Sequence, residues 1–290
     1  MIKEKVIVVG LGEVGRALFE LLEESSKFDV YGFDLDKEKM KSIVGYAELP
    51  DAFDVMHICY PCIGQEQFVK TTLDYIRMFK PKITIINSTI QPGTTQKIYE
   101  ASKSLVVHSP VRGMHRTLET MKRDIKFWGK YVGGATEEAA ELAKRHFEKL
   151  GLKVKVLKSP METELAKLFE TVYRAWMIAC FQEMHRISRY FGADFNEVVD
   201  MIEDIHKVRF NKPLHYPGVI GGHCLIPNTE LLLKSYDSEF LKLILKSNEK
   251  RKQEIADKQV REEIEKVRLR VEALERDVAK LKPLLEKRLE

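Results

Sequence analysis

A chain of 290 residues with 44% hydrophobic side chains suffices for one or two domains with a sizeable core, which excludes a disordered polypeptide. Lys and Arg number 48 against 44 Asp and Glu, so the net charge of +4 is a small difference between two well-mixed populations and not the basic excess of a nucleic-acid binder. No apolar run reaches the roughly 18 residues of a membrane span, and no small-residue cleavage site follows the charged start MIKEKVIVVG. Four irregularly spaced cysteines fit a reducing compartment. These features predict a soluble cytoplasmic protein with neither a membrane nor a nucleic acid as partner. The abundance of Lys and Glu leans towards a thermophilic source.

Short β-branched runs at Lys5–Val9, Val30–Phe33, Asp54–Ile58, Ile83–Asn87, Leu105–His108 and Tyr131–Val132 read as strands. Segments between them, such as Arg16–Glu24 and Gln65–Phe79, carry helical spacing. The alternation predicts an α/β domain over residues 1–157, with a doubly wound parallel sheet of the Rossmann type that binds ligands at the carboxyl ends of its strands.

Gly10, Gly12 and Gly15 form G-x-G-x-x-G between the first strand and the first helix, where glycines allow a tight turn and close approach of the backbone to a pyrophosphate. Asp34 ends the second strand, where a carboxylate accepts from a ribose 2′-hydroxyl and repels a 2′-phosphate. The expected cofactor is therefore NAD rather than NADP. A purely structural glycine turn is the alternative.

Cys59 and Cys62 form C-x-x-C at the end of the third strand, but Cys59 reads better as a small strand residue than as half of a redox pair. His57, in the same strand, reads as a core histidine. The run Asn87-Ser88-Thr89-Ile90-Gln91-Pro92-Gly93-Thr94-Thr95 follows the fourth strand on the ligand edge, although Pro-Gly is also an ordinary turn.

Residues 158–250 read as helical. From Glu162 to about Tyr190, Leu165, Leu168, Val172, Ala175 and Ala179 make one apolar stripe, and Phe169, Tyr173, Trp176, Cys180 and Met184 make a second. This predicts a helix buried on two sides. Lys167, Thr171 and Arg174 form a polar seam between the stripes. Pro217-Gly218-Val219-Ile220-Gly221-Gly222-His223-Cys224 is a glycine-rich loop ending in a thiol that is either buried structure or a nucleophile. His223 has no second pair at ligand spacing, so no metal site is expected.

Residues 251–290 differ again. Val260, Ile264, Val267, Val271, Leu274, Val278, Leu281 and Leu285 recur at alternating spacings of four and three, the seam of a coiled coil. Opposite charges would meet across a parallel dimer at Glu263 and Arg268, Arg270 and Glu275, and Asp277 and Lys282. A homodimer or higher even oligomer is expected through this helix, with folding back onto the body as the alternative.

The glycine fingerprint, the S-T-x-x-P-G-T run at Ser88–Thr94, the helix carrying Glu164-Leu-Ala-Lys167 and Tyr173-Arg174, and P-G-x-x-G-G-H-C at Pro217–Cys224 occur in the order found in nucleotide-sugar 6-dehydrogenases. Over roughly residues 3 to 250 the chain resembles the UDP-glucose and UDP-N-acetylmannosamine dehydrogenase family. The resemblance implies NAD-dependent oxidation of a primary alcohol or aldehyde of a sugar or nucleotide sugar. It implies Cys224 as the nucleophile that forms a thiohemiacetal and then a thioester, Lys167 as the cation beside the reacting oxygen, and Thr89 as a residue that orders substrate or water. Gly221, Gly222, His223, Thr171 and Asn228 would line the substrate site.

The pattern departs from that family at four points. Its glutamate after the fifth strand is Val111 here, its asparagine four residues after the lysine is Thr171, and its aspartate four residues after the cysteine is Asn228, placed in a loop. The heptad helix stands where the family continues into a C-terminal nucleotide-binding domain. Two readings therefore compete with a four-electron dehydrogenase. One is a two-electron enzyme of the hydroxyacid type that uses Lys167, and the other is a non-catalytic NAD-binding dimeric sensor.

Overall fold

Val6, Ile7, Val8 and Val9 form an unbroken apolar run with almost no exposed surface, the mark of a strand covered on both faces. The computed structural model describes residues 3–41, 49–113 and 117–289, with side chains through residue 277. It divides into two units, Met1–Leu168 and Phe169–Glu290.

The first unit runs β1 (Glu4–Val9), α1 (Glu13–Glu24), β2 (Phe28–Phe33), α2 (Lys37–Lys41), β3 (Phe53–Ile58), α3 (Gln65–Phe79), β4 (Pro81–Ile86), α4 (Thr94–Ser102), β5 (Leu105–His108), α5 (Leu118–Trp128), β6 (Lys130–Gly134), α6 (Glu137–Lys149) and β7 (Val154–Val156). The sheet order is β2-β1-β3-β4-β5-β6-β7. Alternate residues of β1 serve opposite cores: Val6 and Val8 pack with α1 and α6, and Ile7 and Val9 pack with α3. The chain reverses its direction of growth at β1, so the crevice expected to take a ligand opens between β1 and β3.

All six expected strands are present. The expected parallel sheet is interrupted once, because β6 pairs antiparallel to β5 with His108 opposite Gly133. β6 therefore starts at the carboxyl edge of β5 and brings Lys130 there. β7 pairs parallel to β6 and lies outside the expected set.

The unit boundary falls within α7 (Pro160–Tyr190), which is followed by α8 (Phe195–Val198), α9 (Asp200–Arg209), α10 (Leu225–Leu233), α11 (Glu239–Glu254) and α12 (Lys258–Leu289). The first α7 stripe is buried at Leu168, Val172, Ala175 and Ala179. The second corrects the expectation of a helix buried on two sides, since Phe169 is 54% and Tyr173 64% exposed. Trp176 instead lies against Phe240 of α11, with ring centroids 3.8 Å apart.

The heptad seam also finds a different partner. Val267, Val271 and Leu274 share a core with Phe181, Phe195, Val199 and Leu214 of the same chain, and Val260 and Ile264 are buried as well. The charges expected to cross a dimer are used internally. Glu263 accepts from His185 Nε2 at 2.9 Å and from Arg189 at 2.8 Å, and Arg270 pairs with Asp200 and Glu203. Up to Leu274 the stripe covers the chain's own body, so these positions are closed to the expected parallel dimer. The side chains of Val278, Leu281, Lys282 and Leu285 lie outside the described residues. Among the described residues, no helix is long and apolar enough to cross a membrane, and no group of three or more His, Cys, Asp or Glu could hold a metal.

Candidate functional site

At the turn from β1 to α1, Gly10 has φ +90°, and a Cβ there would stand 2.7 Å from the Tyr60 backbone nitrogen. A Cβ on Gly15 would strike the Gly10 carbonyl oxygen at 1.8 Å. These two glycines are explained by the close approach of α1 to β1 and β3. Gly12 is not, since nothing lies within 4 Å of where its Cβ would be. That open space at the start of α1 fits the backbone approach of a pyrophosphate to a helix N-terminus.

Asp34 completes this turn. Its Oδ2 accepts from the Leu11 N–H at 2.7 Å and its Oδ1 from the Asp36 N–H at 2.9 Å. The carboxylate thus lies at the end of β2 against the glycine loop, as a ribose contact requires. Lys39, which sequence reasoning passed over, has its Nζ 3.7 Å from the same carboxylate.

The neighbouring strand exits form the rest of the edge. Ser88 donates to the Tyr60 carbonyl at 2.6 Å, His108 Nε2 lies 3.1 Å from the Ser88 carbonyl oxygen, and Thr89 is half-buried beside them in sequence. Burial holds His108 neutral, with its pKa down to about 3. Glu164 fixes the following turn, because its carboxylate accepts from the Gly93 N–H at 2.6 Å and from the Thr95 N–H and hydroxyl at 2.9 and 2.6 Å. Burial raises the Glu164 pKa against these bonds. Lys167, one turn later on α7, is half-buried.

Cys59 and Cys62 carry thiols and not a disulfide. Burial pushes the Cys59 thiol up to about 12, which leaves it inert and supports the structural reading of that pair. His57 is fully buried, with its ring bonded to His146 and Asn87. Val111 is buried in the core beneath α5.

In the second unit, Cys224 immediately precedes α10 as its N-cap and is half-buried, at a helix end where backbone N–H groups favour an anion. Gly221, Gly222 and His223 are exposed, and Gly222 takes φ +80°. Asn228 lies inside α10 and not in a loop, and its Nδ2 donates to Thr171 Oγ1 at 3.1 Å. Two expected substrate residues are thereby brought together.

The loop before Cys224 is clamped by residues that the sequence did not single out. Asn248 of α11, 2% exposed, accepts from the Ile220 N–H at 2.7 Å and donates to its carbonyl at 3.2 Å. Gln182 of α7 donates to the Gly218 carbonyl at 2.7 Å. Asn248→Ala should cost roughly 1–3 kcal/mol, because both backbone groups of Ile220 lose their partner. Thermal unfolding and limited proteolysis of the 217–224 loop would measure it. An unchanged melting temperature with unchanged cleavage would show that the loop holds itself.

Residues 161–250 match the central domain of the UDP-glucose/GDP-mannose dehydrogenase family. The UDP-N-acetyl-D-mannosamine dehydrogenase of Methanocaldococcus jannaschii is 29% identical over 265 residues, which cover 77% of this chain and 60% of that protein. This chain thus spans 60% of the length of that relative. Two solved structures share its fold. The UDP-N-acetyl-mannosamine dehydrogenase of Staphylococcus aureus aligns with a TM-score of 0.72 at 22% identity, over 89% of this chain and 70% of that one. The 3-hydroxyisobutyrate dehydrogenase of Mycobacterium tuberculosis aligns with a TM-score of 0.63 at 15% identity, over 88% of this chain and 95% of that one.

Proposed function

We propose that this protein is an NAD-dependent oxidoreductase acting on a primary alcohol or aldehyde of a sugar-like substrate, with a nucleotide sugar as the first candidate. The observation that carries the proposal is Asp34, a carboxylate held at the end of β2 against a glycine turn that is open at Gly12. The family match and the UDP-sugar dehydrogenase relatives support the substrate class.

Bound NAD would supply the hydride acceptor. Asp34 would hold the adenosine ribose, and the first turn of α1 would take the pyrophosphate. Cys224 adds as thiolate to the aldehyde carbon to give a thiohemiacetal, and after oxidation the acyl group rests on its sulfur as a thioester. Lys167 stabilises negative charge on the reacting oxygen. Water releases the acid, with Asn228 and Thr171 at the substrate.

A second reading is supported by the side-chain amide of Asn228, which donates to Thr171 where a carboxylate would activate water. In that reading the oxidation stops after two electrons, Lys167 handles the proton, and Cys224 lines the site.

Calorimetry tests the cofactor. NAD should bind roughly tenfold or more tightly than NADP, since the 2′-phosphate would meet the Asp34 carboxylate. Asp34→Ser should narrow or reverse that ratio. NADP binding at least as tight as NAD would show that Lys39, and not Asp34, governs the pocket.

A further inference from the structure

Lys130 opens β6, and the antiparallel pairing of β6 with β5 sets it at the carboxyl edge of the sheet. Its side chain is almost fully buried. The ammonium donates to the Ser109 carbonyl at 2.5 Å, the Pro110 carbonyl at 3.3 Å and Asn87 Oδ1 at 3.1 Å. Three protons thus meet three neutral oxygens, two on the exit of β5 and one on the exit of β4. The Phe147 ring of α6 lies 5.0 Å away. The titratable groups that act on it or feel it are His57 and Cys59 from β3 and its exit, His108 from β5 and Lys167 from α7.

From Asn87 the bonds continue in one direction. Asn87 Nδ2 lies 3.2 Å from His57 Nδ1, His57 Nε2 lies 2.9 Å from His146 Nε2, and His146 Nδ1 lies 3.1 Å from Glu4 Oε2. Lys130 can only donate and the Glu4 carboxylate only accept, so each proton between them has one consistent place. Asn87 accepts through its oxygen and donates through its nitrogen. In this arrangement His57 donates through Nε2 and His146 through Nδ1.

We propose that Lys130 is a positioning residue for the carboxyl edge of this sheet, adding to the backbone bonds Ser109 N–H to Ile86 and Val111 N–H to Asn87 a side-chain tie between the exits of β5 and β4 that is complete only while its amine is protonated. The proposal rests on the reading, made above, that this edge receives NAD. A neutral amine keeps two protons and turns a lone pair towards one of the three oxygens, so one tie is replaced by repulsion. The segments that the tie steadies are Asn87–Thr89 and Ser109–Val111, which keep their backbone bonds when it is lost. Burial without a carboxylate partner, opposed by Cys59 and reinforced by the like charge of Lys167, brings Lys130 down to about 7. The tie therefore loosens within the ordinary pH range.

NAD affinity of the full chain, measured by calorimetry from pH 6 to 8.5, tests this with Lys130→Met and Lys130→Arg. The wild-type affinity should fall roughly tenfold as pH rises, the loss of one charge-assisted bond. The Arg form, charged throughout, should show no fall, and the Met form should be flat at the weaker value. Thermal unfolding without NAD supplies a ligand-independent readout. Because the folded-state pKa is lowered, the unfolded chain binds a proton that the folded chain has released, and wild-type stability should rise with pH from about 7 upward. Lys130→Met should lose that rise. A Met form with the wild-type pH slope in either measurement overturns the proposal, and this comparison decides alone if the Arg form does not fold. Absence of NAD binding by the wild type at every pH would instead overturn the reading of the edge as a dinucleotide site. In that case the unfolding slopes still decide the role of Lys130, in the same two directions.

Discussion

Replacing Cys224 with alanine is expected to lower turnover of a UDP-sugar with NAD by a factor of about 10³ or more, the loss that follows removal of a covalent nucleophile. The wild type, stopped during turnover and weighed intact, should carry an acyl adduct that Cys224→Ala lacks. The adduct should accumulate, because hydrolysis needs an activated water and Asn228, one turn along α10 from Cys224, carries an amide and not a carboxylate. Asn228 donates to Thr171, and Val111 is packed in the core. Asn228→Asp should then shorten the adduct's lifetime by roughly 10²-fold or more, the lower end of the gain from a positioned general base. Full turnover by Cys224→Ala, together with loss of turnover in Lys167→Ala, would establish the two-electron mechanism. Absence of detectable hydride transfer in the wild type would leave only NAD binding and favour a sensor.

Removing α12 after Asp257 is expected to unfold the second unit and not merely to alter its assembly. Val260, Ile264, Val267, Val271 and Leu274 are all buried, and each such side chain contributes roughly 1.5–3 kcal/mol. Their sum is comparable with the entire stability of a domain, about 5–15 kcal/mol. The deletion also strips Glu263 from His185 and Arg189, leaving a buried imidazole beside the fully buried Arg251 without its carboxylate. Val267→Asp should be a milder form of the same injury, costing roughly 3–5 kcal/mol by burying an unpaired charge. Circular dichroism melting of the full chain measures both. A truncated chain that melts like the wild type, with a lower mass by light scattering, would restore α12 to the role of a dimerisation arm.

The strands of the first unit were legible because β-branched runs bounded by glycine and polar turns have few other uses, and the glycine fingerprint marked the crevice beside β1. Strand direction was not legible, since a period of two is the same in either sense, and the reversal at β6 surfaced only from its pairing. β7, with just three residues of which Lys155 and Val156 are exposed, lacks the apolar content that would have marked it. The heptad spacing correctly identified an apolar stripe on α12. It carried no information about whose surface the stripe covers, because side chains of the same chain fill the groove as well as a second copy would. At the sites, motif spacing singled out Asp34, Thr89 and Cys224 as candidates. Glu164 entered only as part of a motif, and Asn248 and Lys130 not at all, because a helix glutamate, a helix asparagine and a strand-initial lysine acquire their roles only from backbone groups that the fold brings to them.

The way α12 closes its core also sets an order for folding during synthesis. β7 ends at Val156, so the first unit has its whole sheet once that stretch has left the ribosome. The second unit must wait for α12, because Phe181, Phe195, Val199 and Leu214 have no cover from Val267, Val271 and Leu274 until those residues emerge. Over that interval a folded first unit carries a helical segment with its apolar side still uncovered, a state in which nascent chains aggregate or recruit chaperones. Slow codons between those for Leu214 and Val267 would prolong that exposure, whereas the same pauses before Val156 would not.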